Sequence, residues 1–161
     1  MERLDEELAR AVREQAPLAV CMCDIDHFKK INDTRGHIGG DTVLIQFSQR
    51  LANRLRRYDS IGRYGGEEFL SLFPGLPWEC AFTVLDRFRA CIAENAVEFD
   101  SAAIPVTASF GAAWLRPGTE ATALGIVNQA DQALYRAKHA SRNRVELVEY
   151  QPVPAQHAAP A

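Results

Sequence analysis

The feature that most constrains the fold is an apolar run, residues 18–23, that ends abruptly at Asp24. The run shows no alternation of apolar and polar residues, which predicts a strand covered on both faces. A carboxylate directly after a buried strand is unusual, because an unpaired charge beside a hydrophobic core costs free energy. A bound divalent cation would remove that cost. The alternative is a solvated loop in which Asp24 and Asp26 cap the backbone.

Helices and strands alternate along the rest of the chain. Apolar side chains at three- and four-residue steps predict helices, and apolar runs between turn residues predict strands. The predicted order is helix 2–15, strand 18–23, helix 41–55, hairpin 59–73, helix 77–92, strand 104–115, helix 122–139 and strand 144–150. This order indicates an α/β domain with a mixed sheet over residues 1–150. Residues 151–161, rich in Pro and Ala, form a tail that we expect to be disordered.

The composition narrows the class of function. The net charge of −3 argues against a nucleic-acid polymer as partner, because neutralising its phosphates requires a basic face. A single nucleotide needs only a few local cations. The four cysteines show neither a Cys-x-x-Cys pair nor zinc-ligand spacing, which favours buried thiols in a reducing compartment. We find no signal peptide and no apolar stretch of ~18 residues, and expect a cytosolic domain without membrane contact.

A second unusual segment is Gly65-Gly66-Glu67-Glu68-Phe69, at the predicted hairpin turn. Two glycines are common in such turns, but two glutamates at the start of an apolar strand are not. A turn without side chains lets a ligand lie against the backbone, and the adjacent acids can hold metal. Together with Asp24 from a neighbouring strand, they predict a carboxylate cluster suited to two ions in phosphoryl transfer.

Two further segments carry both functional and ordinary interpretations. Residues 36–41 contain three glycines and end at Asp41, which can bind a ligand or serve as the N-cap of the following helix. Lys138 and Arg142 are four residues apart, so they share a face if the last helix extends that far. They can bind phosphates, or they can simply complement the dipole at the helix C-terminus.

In this order, these segments resemble the GGDEF family of diguanylate cyclases in its GGEEF spelling, over about residues 17–148. The matching motifs are residues 24–33, 36–41, 65–69 and 130–145. The resemblance implies a palm-like nucleotidyl cyclase fold, in which helices flank a five-stranded mixed central sheet that carries the GGEEF β-hairpin. It also implies a bacterial signalling enzyme that condenses two GTP into cyclic di-GMP and two pyrophosphates across a homodimer.

The resemblance also implies a role for individual residues. Two Mg²⁺ ions, for which Mn²⁺ can substitute, would be held by Asp24, the backbone carbonyl of Ile25, Glu67 and Glu68. Glu67 is also the candidate base for the ribose 3′-hydroxyl. The residues expected to contact GTP are Phe28, Lys29, Asn32, His37, Asp41, Gly65, Gly66, Lys138 and Arg142. Among them, Asn32 and Asp41 would read guanine, whose N1–H and amino donors suit a carboxylate, and backbone amides near His27 and Phe28 would cradle the phosphates.

In an Arg-x-x-Asp segment, Arg56 to Asp59, five residues separate Asp59 from Gly65. In the family, this motif at this spacing is an inhibitory site that binds the product, with Arg87 or Arg89 as a further contributor. Arginine suits the task because its planar fork binds phosphate bidentately. The alternative is a solvated pair at a helix end.

The chain also departs from the family pattern. Ser141 stands where the family has glycine, which puts the turn that presents Arg142 in question. The linker that usually precedes such a domain is missing, so we expect the output domain of a larger sensor protein, which can be membrane-anchored. Two rival hypotheses stay open: a receptor that binds GTP or cyclic di-GMP without turnover, and a cyclase with another nucleotide preference.

Overall fold

The computed structural model describes residues 1–152, which contain four helices and seven strands. The elements are α1 Glu2–Glu14, β1 Leu18–Ile25, α2 Phe28–Ala52, β2 Ser60–Gly65, β3 Glu68–Pro74, α3 Trp78–Ala93, β4 Val97–Phe99, β5 Ala102–Ile104, β6 Ala108–Leu115, α4 Ala123–His139 and β7 Val145–Glu149. The predicted disorder of 151–161 concerns residues that lie mostly outside this range.

Five strands form the central sheet in the order β2-β3-β1-β6-β7. The middle strand, β1, pairs antiparallel with both β3 and β6, whereas β6 and β7 are parallel. β2 and β3 form the expected hairpin. The predicted mixed five-stranded sheet flanked by helices is confirmed.

Alternate residues of β1 enter two separate cores, so all eight are buried. Cys21 and Cys23 pack in the core shared with α2 and α3, whereas Val20 and Met22 pack in the core shared with α1 and α4. Helix α4 lies very close to the sheet at Gly111, where an added Cβ would be 1.9 Å from the backbone nitrogen of Leu134. The unalternated apolar run therefore is a strand covered on both faces, as predicted.

The second helix differs from the prediction. It begins at Phe28 rather than at Asp41 and contains one non-helical residue, Gly36 (φ 70°, ψ 173°). Asp41 lies inside the helix, so the interpretation of Asp41 as an N-cap is wrong. The early start follows from Phe28 and Ile31, which are buried three residues apart and anchor the first turn to the core.

The segment before β6 also differs. The predicted strand over 104–115 begins only at Ala108, and a separate small hairpin, β4–β5, precedes it. The turn of this hairpin uses Asp100 (φ 49°) and Ser101 (φ 60°) in the left-handed region. Asp and Ser are both common in turns, but a hairpin at these two residues was not predicted from the sequence.

The four cysteines are free thiols. Cys21, Cys23 and Cys91 are buried, as expected, and burial raises the pKa of each of them. For Cys80 the expectation of a buried thiol is wrong, because this residue is exposed in the first turn of α3. Within residues 1–152, no helix combines the length and the apolar character needed to cross a bilayer.

Candidate active site

Segments that are distant in sequence meet at the C-terminal end of β1. We call this end of the central sheet the site end. Asp24 lies directly opposite Glu68 on β3 and Ser109 on β6. The N–H of Ile25 donates to the carbonyl oxygen of Glu67 at 3.4 Å. The antiparallel pairing of β1 with both neighbours therefore brings the first acidic segment against the glutamates of the hairpin turn.

Asp24 is a buried carboxylate, and among residues 1–152 its ion-pair partner is Lys138. Asp24 is 7% exposed, which excludes the alternative of a solvated loop. The Lys138 ammonium, on α4, lies 2.7 Å from Asp24 Oδ2. Burial raises the pKa of Asp24, the hydrogen bond and charge of Lys138 lower it, and the charges of Glu67 and Glu68 raise it again. The net direction is upward, so burial disfavours the ionised form of Asp24 relative to an exposed carboxylate.

The chemistry of these donors fits a hard cation. Carboxylate and carbonyl oxygens suit Mg²⁺, which in proteins commonly takes one or two carboxylates and completes its shell with substrate phosphates and water. In residues 1–152, no three acidic, histidine or cysteine side chains converge into a metal-binding group. Glu67 and Glu68 are only half-buried.

The side chain of Asn32, on the first part of α2, packs against the backbone of Gly40, on the second part of the same helix. A Cβ added to Gly40 would lie 1.8 Å from Asn32 Oδ1 and 3.3 Å from the ring of Phe28. Only glycine leaves room for Asn32 in this place. The glycine also brings Asn32 beside the backbone that carries Asp41, an exposed residue, so the structure gathers both residues predicted to read guanine.

The start of α2 lies next to Asp24. His27 precedes the helix in the left-handed region (φ 58°), and no side chain caps this end. The amides of Phe28, Lys29 and Lys30 precede the first intrahelical bond, from the Ile31 N–H to the His27 carbonyl (3.2 Å). Such amides attract anions, because they point outward at the positive end of the helix dipole. Phe28 is buried, whereas Lys29 and, further along the helix, His37 are exposed.

The turn after α4 presents Arg142. The helix ends at His139, so Lys138 and Arg142 do not share a continuous helical face. Ser141, Arg142 and Asn143 all have positive φ (85°, 59° and 44°). A non-glycine residue in this region costs about 1 kcal/mol, so other contacts must hold the turn. The Arg142 N–H donates to Ala137 O (3.1 Å).

One residue important to this end of the sheet was not predicted to have a role. Asp26 is 4% exposed and accepts three hydrogen bonds, from Thr107 Oγ1, Ser109 Oγ and the Asn143 N–H. The sequence signal that could have indicated it is the pair of hydroxyl residues, Thr107 and Ser109, at the start of a buried strand. Their pairing with Asp26 depends on the register of β1 and β6, which the sequence does not reveal.

The glycine turn itself is exposed. Gly66 is in the left-handed region (φ 55°), and Arg63 Nε donates to its carbonyl oxygen at 2.7 Å. No atom lies within 4 Å of a Cβ added to Gly65 or Gly66. The backbone of both glycines is therefore accessible from outside the protein.

The Arg-x-x-Asp segment lies between α2 and β2. Asp59 Oδ2 accepts a hydrogen bond from the Arg56 N–H at 2.8 Å, which fixes the turn. Burial raises the pKa of Asp59, while the Arg56 N–H bond and charge lower it. Arg56 and, on α3, Arg87 are exposed. Arg89, the predicted alternative to Arg87, is instead paired with Asp86 at 2.6 Å.

Comparisons with known proteins agree with this geometry. The family profile described as "Diguanylate cyclase, GGDEF domain" matches residues 1–144. The chain is 44% identical over 146 residues to diguanylate cyclase DgcP of Pseudomonas aeruginosa, covering 91% of this chain and 22% of DgcP. The chain thus spans less than a quarter of that relative.

The solved structures that resemble this fold also include a diguanylate cyclase and a GGDEF domain. The crystal structure of diguanylate cyclase SiaD in complex with its activator SiaC from Pseudomonas aeruginosa matches with a TM-score of 0.85 and 41% identity, over 91% of this chain and 56% of SiaD. The GGDEF domain of DgcB from Caulobacter crescentus in complex with c-di-GMP matches with a TM-score of 0.83 and 32% identity, over 91% and 86%. Fold and site together define an α/β domain of the GGDEF type. The chain belongs to the diguanylate cyclase GGDEF domain family.

Proposed function

We propose that this domain is a diguanylate cyclase that condenses two GTP into cyclic di-GMP and two pyrophosphates. The observation that carries the proposal is the buried Asp24, which lies opposite Glu68 and 2.7 Å from Lys138. Its raised pKa marks a carboxylate that gains from further positive charge. A nucleotide triphosphate with its metal ions supplies that charge at the point where the catalytic segments meet.

The proposed metal ligands are Asp24, the carbonyl oxygen of Ile25, Glu67 and Glu68. They would hold two Mg²⁺ ions, for which Mn²⁺ can substitute. Such ions lower the pKa of a bound hydroxyl and neutralise charge on the attacked phosphate.

The chain's own side chains account for the proton and the leaving group. Glu67 would accept the proton of the 3′-hydroxyl as its oxygen bonds to the α-phosphorus of the second GTP. The bond from that phosphorus to the pyrophosphate oxygen breaks, and Lys138 and Arg142 would stabilise the developing charge there. Repeating the step with the roles of the nucleotides exchanged closes the ring.

Binding of each GTP would use both halves of α2 and the hairpin turn. Asp41 would accept hydrogen bonds from the donors of the guanine edge, the amide of Asn32 can both donate and accept there, and His37 would lie nearby. The amides at the start of α2, with Phe28 and Lys29, would hold phosphate oxygens. The room beside Gly65 and Gly66 would admit the nucleotide.

One site holds one GTP, so each reaction requires a second nucleotide delivered by a facing copy. We therefore propose that catalysis requires an antiparallel homodimer and that the specific rate rises with protein concentration. The coverage of only 22% of DgcP supports our proposal that this domain is the cytoplasmic output part of a larger sensor protein.

We also propose feedback inhibition by the product at Arg56, Asp59 and Arg87. The Asp59 carboxylate fixes the backbone of Arg56, which leaves the guanidinium exposed for phosphate. The DgcB domain was solved in complex with c-di-GMP, so a domain of this fold binds that nucleotide.

The test is a turnover assay with GTP and Mg²⁺ over a range of protein concentrations, with the product identified by mass spectrometry. We expect cyclic di-GMP and pyrophosphate in a ratio of one to two, with a rate that increases more than linearly with protein. An ATP competition series in the same assay tests the choice of guanine.

Failure to form a cyclic dinucleotide at every concentration would refute the proposal. In that case, calorimetry with GTP and with cyclic di-GMP distinguishes a binding module, which retains affinity, from a domain that recognises neither ligand.

A further inference from the structure

Asp26 connects three segments of the chain at the site end. Its Oδ1 accepts from Ser109 Oγ at 2.7 Å, and its Oδ2 accepts from Thr107 Oγ1 at 2.7 Å. The third donor, to Oδ2, is the backbone N–H of Asn143 at 3.0 Å. The residue is 4% exposed. Both carboxylate oxygens are therefore satisfied inside the protein, unlike those of Asp24 two residues earlier.

The Asn143 bond spans 117 positions of sequence and attaches the turn after α4 to the end of β1. This turn contains three consecutive left-handed residues without a glycine, with Arg142 in the middle. Side chains disfavour that region, so the turn depends on its anchors. On one side Arg142 N–H bonds to Ala137 O; on the other, Asp26 holds the Asn143 backbone and Arg89 holds the Asn143 side chain at 3.1 Å.

We propose that Asp26 is a positioning residue that acts through Asn143 to hold Arg142 beside Lys138 for the outer phosphates of GTP. The inference rests on the proposed function, which assigns Arg142 to those phosphates. A carboxylate suits the role because charge-assisted bonds to backbone N–H groups are shorter and stronger than neutral ones. It also accepts hydrogen bonds from the hydroxyls of Thr107, just before β6, and Ser109, in β6, which ties the turn to the sheet.

The test compares the dissociation constants of a GTP analogue with a non-cleavable α–β bridge and of GMP, both with Mg²⁺, by calorimetry. We expect Asp26→Asn to weaken binding of the analogue by about tenfold, the order of one lost charged hydrogen bond, and to leave GMP within about twofold, as outer phosphates are absent. Asp5→Asn, an exposed change on α1, is the matched control and should alter neither value.

A double-mutant cycle tests the route of action. In an Arg142→Ala background, Asp26→Asn should have almost no further effect on the analogue, because the group that it positions is gone. Adding Ser141→Gly to Asp26→Asn should recover part of the lost affinity, since glycine adopts φ 85° without strain. If Asp26→Asn does not fold, Thr107→Val provides the second variant, with an expected loss of about twofold for the analogue alone.

Two other sets of results would contradict the positioning role of Asp26. Equal losses for the analogue and GMP, or an undiminished loss in the Arg142→Ala background, would overturn the positioning role and leave the proposed function intact. If Arg142→Ala itself leaves analogue affinity unchanged, the phosphate assignment of Arg142 is wrong, and the role of Asp26 falls with it.

Discussion

The two ends of the central sheet differ in the side chains that they bury. At the closed end, where β1 begins and β6 ends, Leu18 and Leu115 are fully buried. Two polar groups there are paired inside the protein: Gly75 N–H donates to Pro17 O, and Trp114 Nε1 donates to Leu76 O, each at 2.8 Å. At the site end, Asp24 and Asp26 are buried carboxylates. The two strand termini at the closed end are apolar, whereas the site end retains a carboxylate, Asp24, whose pKa is raised by burial.

The comparison teaches that stability and chemistry are assigned to different ends of the same strand. Apolar burial along residues 18–23 supplies the folding free energy that lets β1 carry a poorly neutralised charge at Asp24. Substitutions at the closed end should therefore lower mainly the free energy of unfolding, and substitutions at the site end should lower mainly the turnover.

The largest expected effect is at the site end. Asp24→Ala or Glu67→Ala should reduce turnover by at least about a thousandfold, equivalent to ~4 kcal/mol of transition-state stabilisation, because each removes a proposed metal ligand. The measurement is cyclic di-GMP formation at saturating GTP and Mg²⁺. Glu79→Ala, an exposed change on α3, is the control and should retain the full rate. Activity within tenfold of wild type in either variant would refute the metal assignment.

The closed end should show the reverse. Leu18→Ala should lower the free energy of unfolding by about 2–5 kcal/mol, because it removes buried methyl groups and leaves a cavity. The turnover per folded molecule should stay close to that of wild type. Urea denaturation and the cyclase assay on the same preparation check both halves, and a selective loss of turnover without loss of stability would break the division between the ends.

A smaller effect is expected at the proposed inhibitory site. Arg56→Ala should raise the cyclic di-GMP concentration needed for half-inhibition by about tenfold, the order of one charged contact, and leave the initial rate nearly unchanged. Arg57 is adjacent and also exposed. Arg57→Ala is the matched control, and cyclic di-GMP should inhibit it at the same concentration as wild type. Identical inhibition curves for the two variants would exclude Arg56 from the site.

The smallest effect concerns pH. Because burial raises the pKa of Asp24 in the folded state, its contribution to stability is present below the unfolded-state pKa and is lost as pH rises through the folded-state pKa. Without metal and nucleotide, Asp24→Asn should therefore become more stable than wild type as pH rises from about 4 to 7.

Denaturation series at several pH values measure this difference. Asp26→Asn serves as the contrast and should be less stable than wild type, since its carboxylate is fully hydrogen-bonded. A loss of stability in Asp24→Asn at pH 7 would mean that Lys138 already neutralises Asp24.

The sequence predicted the fold well where burial was unambiguous. The unalternated run 18–23, the amphipathic faces of α1 and α4 and the Gly65-Gly66 turn each have one structural solution, and all three are observed. It failed between residues 28 and 40, because glycines and polar residues there resemble a loop. Only the spacing of Phe28 and Ile31 pointed to a helix.

The sequence motifs located the residues of the candidate site, but they did not predict the contacts among those residues. The meeting of Asp24 with Glu68 could be anticipated, since a hairpin strand beside β1 was expected. The Asp24–Lys138 ion pair and the anchoring of Asn143 by Asp26 could not. Both depend on strand register and on how closely α4 approaches Gly111, and these are properties of packing rather than of local pattern.

The most direct test of the central claim is a thermal melt of wild type and Asp24→Asn with Mg²⁺ and the GTP analogue that has a non-cleavable α–β bridge. Ligands that bind only the folded state raise the melting temperature, and the stabilisation grows with the logarithm of the ratio of ligand concentration to dissociation constant. We predict that the wild-type melting temperature rises with ligand concentration and that Asp24→Asn loses most of this rise. An equal rise in both proteins would show that Asp24 plays no part in holding the metal and nucleotide.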